Sequence, residues 1–77
     1  MDITTFIDNF AGQLDETPVD QIKPETVFRD IPEWSSLIAL SVIAMADEEY
    51  GVALKGDDIK NAITVQDIFN AIVAKKQ

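Results

Sequence analysis

The sequence predicts an all-α protein: a small four-helix bundle of three main helices and a short third helix, with a long loop between helices 1 and 2. Three segments repeat apolar residues at spacings of three and four, the period of a helix with one buried face. No pair of strands is apparent. The 77 residues suffice for one domain, residues 1–77, whose core removes only about 60% of the unfolded surface from water.

Apolar residues at helical spacing predict the first helix, whereas the loop after it lacks this spacing and contains prolines. Asp2 or Thr4 is available as the N-cap of the first helix, and Gly12 weakens its end. From Asp15 to Trp34 the period stops, and so long a loop needs anchors in the core. The apolar residues of the helix are Ile3, Phe6, Ile7, Phe10, Ala11 and Leu14, and the expected loop anchors are Val19, Ile22, Val27, Phe28, Ile31 and Trp34.

The second helix is predicted from Ile38 to Tyr50 and should end at Gly51, because glycine suits the left-handed residue after a helix. One stripe of this helix is assigned to the core. The opposite side is also largely apolar, and a second apolar face in so small a chain predicts an exposed contact surface. The core stripe is Ala39, Val42, Ile43, Ala46 and Tyr50, and the opposite face is Leu37, Leu40, Ser41, Ala44 and Glu48.

Two further helices are predicted in the last third of the chain. A short helical turn over residues 55–61 should be capped by Asp57. The fourth helix begins with a capping-box pattern at Thr64 and Asp67. Its buried stripe is Val65, Ile68, Phe69, Ile72 and Val73, and Lys75 and Lys76 favour the negative end of its dipole.

Composition excludes several functions. The chain has neither cysteine nor histidine, so zinc-thiolate sites, thiolate catalysis and a histidine base are absent and no enzyme activity is expected. Asp57 and Asp58 lack the ligand pattern of a calcium loop, and no metal site is expected. The net charge of −8 opposes binding to nucleic acid or an anionic membrane and favours partners with basic surfaces. With no apolar run of about 20 residues and no basic signal segment, a cytoplasmic location without membrane insertion is expected. A monomer is expected as well.

Ser35 and Ser36 precede the second helix, where a serine is by default an N-cap. Nucleophilic catalysis is poorly supported without a base. A phosphate ester on Ser36 would instead lie at the positive end of the helix, which favours an anion. Capping and covalent modification are therefore both open from the residues alone.

The order of these features resembles an acyl carrier protein from near Ile3 to Lys75. In that family the serine before a leucine, here Ser36 before Leu37, carries a 4′-phosphopantetheine arm derived from coenzyme A. The resemblance implies that acyl groups are held on this arm as thioesters and delivered to enzymes of fatty-acid, polyketide or specialised acyl metabolism. It rests on Ser36 and on similar residues at Phe28, Ile31, Leu37, Tyr50, Leu54, Thr64 and Val65.

The resemblance also implies partners: a phosphopantetheinyl transferase, and acyl-transferring or ligating enzymes with basic docking surfaces. The expected contact residues on the second helix are Leu37, Ile38, Leu40, Ser41, Ala44, Asp47 and Glu48. The family usually reads Asp-Ser-Leu, whereas Ser35 stands here in place of the aspartate. This difference leaves an alternative open, an unmodified acidic helical interaction module, adaptor or inhibitor, with an acyl-carrier-like fold. Trp34 is interpreted either as a loop anchor or as a contact for the arm or a partner.

Overall fold

The computed structural model describes residues 2–76. They form α1 (Ile3–Ala11), α2 (Ser36–Tyr50), α3 (Gly56–Lys60) and α4 (Val65–Lys76), with no β-strand in the described part of the chain. Two short 3-10 helices, Val19–Gln21 and Phe28–Asp30, lie in the loop between α1 and α2. The all-α class and the four helices with a short third member are thereby confirmed.

Short polar side chains begin α1 and α4 as the sequence predicts. The Asp2 carboxylate accepts the Thr5 backbone N–H at 2.8 Å, and this bond lowers the pKa of Asp2. Before α4, the Thr64 hydroxyl accepts the Asp67 N–H at 3.2 Å while the Asp67 carboxylate accepts the Thr64 N–H at 3.0 Å. This reciprocal pair is a capping box. The Thr64 and Ile63 amides bound to Asp67 lower the pKa of that carboxyl.

The cap predicted for α3 is wrong by one residue. The helix begins at Gly56, and the Lys55 N–H donates to the carboxylate of Asp58, not of Asp57, at 2.8 Å. Asp58 is three residues after Lys55, the spacing at which a carboxylate reaches back to the amide that precedes a helix. This bond, aided by Lys75, lowers the pKa of Asp58.

The core is formed by all four helices, by the α1–α2 loop and by the segments on either side of α3. α2 contributes Val42, Met45 and Ala46 as fully or nearly fully buried side chains. Ala39, Ile43 and Tyr50 are half-buried and pack against the core, so the predicted stripe is right in direction but omits Met45. The other buried residues are Phe6, Phe10, Leu14, Ile22, Phe28, Ile31, Val52, Leu54, Ile59, Ala62, Val65, Ile68, Phe69 and Ile72.

The long loop is anchored at most of the predicted positions. Ile22, Phe28 and Ile31 are buried, and Val27 forms an isolated antiparallel bridge with Thr64. The expectation for Val19 is wrong, because its side chain is 46% exposed. Val19 starts a 3-10 helix of only three residues, and the residue that follows this turn, Ile22, is buried in its place.

Trp34 anchors the end of the loop. Its ring stacks on Phe10 at a centroid distance of 6.1 Å and meets Phe28 at 4.7 Å and 57°. Aromatic pairs at such separations add to the stability gained from burial alone. The structure therefore supports the anchor interpretation of Trp34, and these contacts fix the chain just before Ser35 and Ser36.

A carboxylate that the sequence did not single out closes the loop. Glu33 accepts the backbone N–H groups of Asp15 and Glu16 at 2.6 and 2.7 Å. The Thr17 hydroxyl donates to the same carboxylate at 3.3 Å. The beginning and the end of the loop are thus joined by one side chain.

Candidate functional site

The two serines before α2 have different surroundings. Ser35 is the N-cap, in an extended backbone conformation, and its hydroxyl accepts the Ile38 N–H at 3.3 Å. Ser36 is the first helical residue and is exposed. Within residues 2–76, no side-chain hydrogen bond engages the Ser36 hydroxyl. The two serines therefore differ: Ser35 caps the helix, and the hydroxyl of Ser36 is exposed and does not take part in capping.

The backbone around Ser36 suits an anion. The first intrahelical bond of α2 runs from the Ala39 N–H to the Ser35 carbonyl at 3.0 Å. The amides of Ser36 and Leu37 have no acceptor among residues 2–76, as is usual for the first turn of a helix. Free amides and the positive end of the helix dipole together stabilise a negatively charged group at this position.

A mainly apolar strip extends along α2 from Ser36. We define the docking face as Leu37, Leu40, Ala44, Asp47 and Glu48, all of which are exposed. Leu37 and Leu40 expose 72% and 62% of their surface. Large aliphatic side chains side by side in water are a feature of interaction surfaces. The docking face thus begins beside Ser36 with apolar residues and ends with carboxylates.

Two of the expected contact residues lie at the edge of this face. Ile38 is half-buried and packs against the core, and Ser41 is half-buried as well. Their helical positions turn them towards the body of the protein. The structure therefore brings the docking face together, with Ile38 and Ser41 bordering it, and the role of each residue in partner binding stays a prediction.

The carboxyl end of α2 is held by contacts that sequence patterns did not indicate. Lys76 Nζ donates to the Tyr50 carbonyl at 2.7 Å, and Asn9 Nδ2 donates to the Tyr50 hydroxyl at 3.2 Å. Gly51 then ends the helix at φ 65°, as predicted. The turn bearing Asp47 and Glu48 is consequently fixed to α1 and α4.

Two surface grooves lie away from Ser36. One of about 270 Å³ is formed by the α1–α2 loop, and one of about 400 Å³ lies between α3 and α4. Neither is lined by a residue of α2.

The described residues also allow two searches that bear on function. Across residues 2–76, no group of three or more histidine, cysteine, aspartate or glutamate side chains is arranged to hold a metal ion. No helix in that range has both the length and the apolar character needed to cross a bilayer.

Together, the fold and the site define a small helical module that presents an exposed serine beside a docking face. No protein-family model matches the chain. Known proteins do: it is 30% identical to the acyl carrier protein of Acidothermus cellulolyticus over 71 residues, 92% of this chain and 84% of that protein. It is 31% identical to the acyl carrier protein of Thermobifida fusca over 70 residues, 91% of this chain and 84% of the relative.

The acyl carrier protein of Myxococcus xanthus is 30% identical over 60 residues, 75% of this chain and 76% of the relative. Identity at this level over most of both chains establishes kinship. The chain belongs to the acyl carrier protein family. The resemblance drawn from the sequence is thereby confirmed, and at this level the chain is a carrier protein.

Proposed function

We propose that this protein carries acyl groups as thioesters on a 4′-phosphopantetheine arm attached to Ser36, and delivers them to enzymes of fatty-acid, polyketide or specialised acyl metabolism. The observation that carries this proposal is that the two serines before α2 have different roles. Ser35 caps α2, so the exposed hydroxyl of Ser36 is available without loss of the cap. The free amides beside it fit the single negative charge of a phosphodiester.

Attachment would form one bond and break one. The Ser36 oxygen bonds to the phosphorus that bears the pantetheine in coenzyme A, and adenosine 3′,5′-bisphosphate leaves. The hydroxyl proton passes to a base of the transferase, since this chain has no histidine and no cysteine. The bound arm supplies a terminal thiol, which this chain itself lacks.

Partner enzymes are proposed to bind the docking face. Leu37 and Leu40 would supply contact energy because they lose exposed apolar surface on binding. Asp47 and Glu48 would attract basic surfaces and raise the rate of encounter more than the final affinity. The protein itself performs no chemistry in this proposal. A cytoplasmic, monomeric protein remains the prediction.

The test of attachment is the intact mass after incubation with coenzyme A and a broad-specificity phosphopantetheinyl transferase. We expect a gain of one phosphopantetheine, absent in Ser36→Ala and retained in Ser35→Ala. A gain that persists in Ser36→Ala and is lost in Ser35→Ala would show that the arm is attached to Ser35 and that the assignment to Ser36 is wrong. No gain with several transferases would refute the carrier proposal and favour the alternative.

The docking face is tested by Leu40→Ala in steady-state assays with the same transferase. Its matched control is Val19→Ala, because Val19 is also an exposed aliphatic residue, with 46% of its surface accessible, and lies in the α1–α2 loop, outside both the docking face and α3. We expect Leu40→Ala to raise KM for the carrier about fivefold, the equivalent of about 1 kcal/mol. Equal effects of the two substitutions would argue against the docking face.

One observation favours the alternative function. Ser35 stands where the family usually has an aspartate beside the modified serine, and it supplies a cap without a charge. An unmodified acidic adaptor or inhibitor would bind through charge spread over its surface, and its affinity would fall steeply with salt. Binding that is lost mainly in Leu40→Ala would exclude this diffuse mode.

A further inference from the structure

Arg29 makes a set of polar contacts that lie outside the docking face. Its Nη1 donates to the carbonyl of Ala62 at 2.6 Å, and its Nη2 donates to the carbonyls of Ile59 and Lys60 at 2.8 and 3.1 Å. The guanidinium carbon lies 4.7 Å from the centre of the Phe28 ring. One side chain therefore binds three carbonyl groups at the carboxyl end of α3.

α3 depends on such partners because it is short. It has five residues, whereas isolated helices shorter than about 12–15 residues are marginal in water. Its last carbonyls have no partner within the helix, and they form the negative end of its dipole. At its start, Asp58 binds the Lys55 amide and pairs with Lys75 of α4 at 3.3 Å. α3 is thus held to α4 at one end and to Arg29 at the other.

Arg29 also belongs to the segment that leads to Ser36. It is the middle residue of the 3-10 helix Phe28–Asp30. The following turns are hydrogen-bonded, from the Ile31 N–H to Phe28 at 3.1 Å and from the Trp34 N–H to Ile31 at 2.9 Å. The aromatic contacts of Trp34 hold this segment on the core, so Arg29 extends from a fixed base.

We propose that Arg29 is a positioning residue that joins α3 to the segment preceding Ser36, so that a partner enzyme meets α2 and α3 as one rigid surface. The inference rests on the proposed function. A standard interface buries about 800 Å² of each partner, and this molecule exposes 4592 Å² within extents of 31 × 23 × 20 Å. Arg29 thereby fixes where α3 stands for a partner whose footprint reaches beyond α2.

Lysine is a poor replacement for Arg29. An ammonium group is a compact charge, whereas the guanidinium presents its donors in a planar fork that serves several acceptors at once. Arg29→Lys keeps the net charge and removes the fork, and Arg29→Met removes both. Lys23→Met is the matched control, because it removes one positive charge from the same loop and its side chain has no hydrogen-bond partner within residues 2–76.

Hydrogen exchange followed by NMR reports the hold on α3 directly. The Asn61 N–H donates to Asp57 at 2.9 Å and the Ala62 N–H donates to Ile59 at 3.2 Å. We expect these amides to exchange roughly tenfold faster or more in both Arg29 variants, because hydrogen bonds to charged groups are among the stronger ones. In Lys23→Met these two amides should exchange at the wild-type rate. In the Arg29 variants the amides of α1 and α4 should also exchange at their wild-type rates. Unaltered exchange in α3, or an equal increase in every helix, would overturn the proposal.

Transferase kinetics report the consequence for a partner. Both Arg29 variants should raise KM for the carrier and leave kcat unchanged, while Lys23→Met behaves as wild type. A KM equal to wild type, or full recovery in Arg29→Lys, would refute a positioning role. If wild type itself is not loaded, the carrier function fails, and the exchange experiment still decides whether Arg29 holds α3. If Arg29→Met does not fold, Arg29→Lys carries both measurements.

Discussion

Ser35→Ala and Ser36→Ala should have opposite effects on stability and on loading. Replacing Ser35 removes the cap and leaves the Ile38 amide without its acceptor. Loss of an N-cap costs about 0.5–2 kcal/mol. The hydrogen bond of 3.3 Å is long for its type, so we expect a loss of about 1 kcal/mol. Replacing Ser36 should change stability by no more than about 0.5 kcal/mol, because its side chain is exposed and has no partner among the described residues.

These energies convert to a measurable shift in melting temperature. Unfolding entropy is about 2.1 cal/mol/K per residue near 60 °C, which for 77 residues amounts to about 0.16 kcal/mol/K. A loss of about 1 kcal/mol therefore lowers Tm by about 6 °C. Thermal unfolding followed by circular dichroism resolves this shift. Equal destabilisation by Ser35→Ala and Ser36→Ala would refute the assignment of the cap.

Ser35→Asp completes the comparison. Aspartate caps as well as serine, and its charge also favours the positive end of the helix dipole. We expect stability at neutral pH to equal or exceed that of wild type. Loading should be faster than in wild type, since this variant has the Asp-Ser-Leu sequence usual in the family. Slower loading would show that the serine at this position is itself part of partner recognition.

Three further predictions concern stability. Gly51→Ala should lose about 1–2 kcal/mol in denaturant titration because Gly51 has φ +65°, whereas Gly56→Ala, also with open space around its Cβ, should be neutral or stabilising; equal effects would contradict this account. Trp34→Phe should lower Tm without changing loading, and altered loading in a folded variant would assign Trp34 a contact role. Because the folded-state pKa values of Asp58 and Asp67 lie below the ordinary 3.8, their stabilisation is present above that value and lost as pH falls through the folded pKa. Tm should therefore fall when the pH is lowered below about 4, and it should fall less in Asp67→Asn. A fall of equal size in Asp67→Asn would exclude a contribution from the Asp67 carboxylate.

The features that could be predicted from the sequence are those set by neighbours a few residues apart. Caps such as Ser35 and the Thr64–Asp67 pair act over three residues, and Gly51 marks its helix end by its own backbone freedom. The same local logic located α3 but chose Asp57 in place of Asp58 for its cap. A one-residue error of this kind arises because both aspartates lie at plausible capping distances.

The features that could not be predicted join residues far apart in the chain. Arg29 binds carbonyls 30 to 33 positions away, and Glu33 binds amides 17 and 18 positions away. Neither contact leaves a periodic pattern in the sequence. A polar loop side chain that binds a distant backbone group looks the same in the sequence as one that contacts only water. The prediction for Val19 was wrong for a related reason. Hydrophobicity indicates a candidate anchor, but the geometry of the tight turn decides which side chain faces the core.

The hydrogen bonds of Glu33 close the α1–α2 loop as a crosslink would, but without a covalent bond. It joins residues 15 and 16 to residue 33, a closure that small proteins often make with a disulfide. Because the chain contains no cysteine, this closure needs no oxidant and is independent of the redox state of the surroundings. A thiol brought by the proposed arm would then have no sulfhydryl of its own carrier with which to form a disulfide.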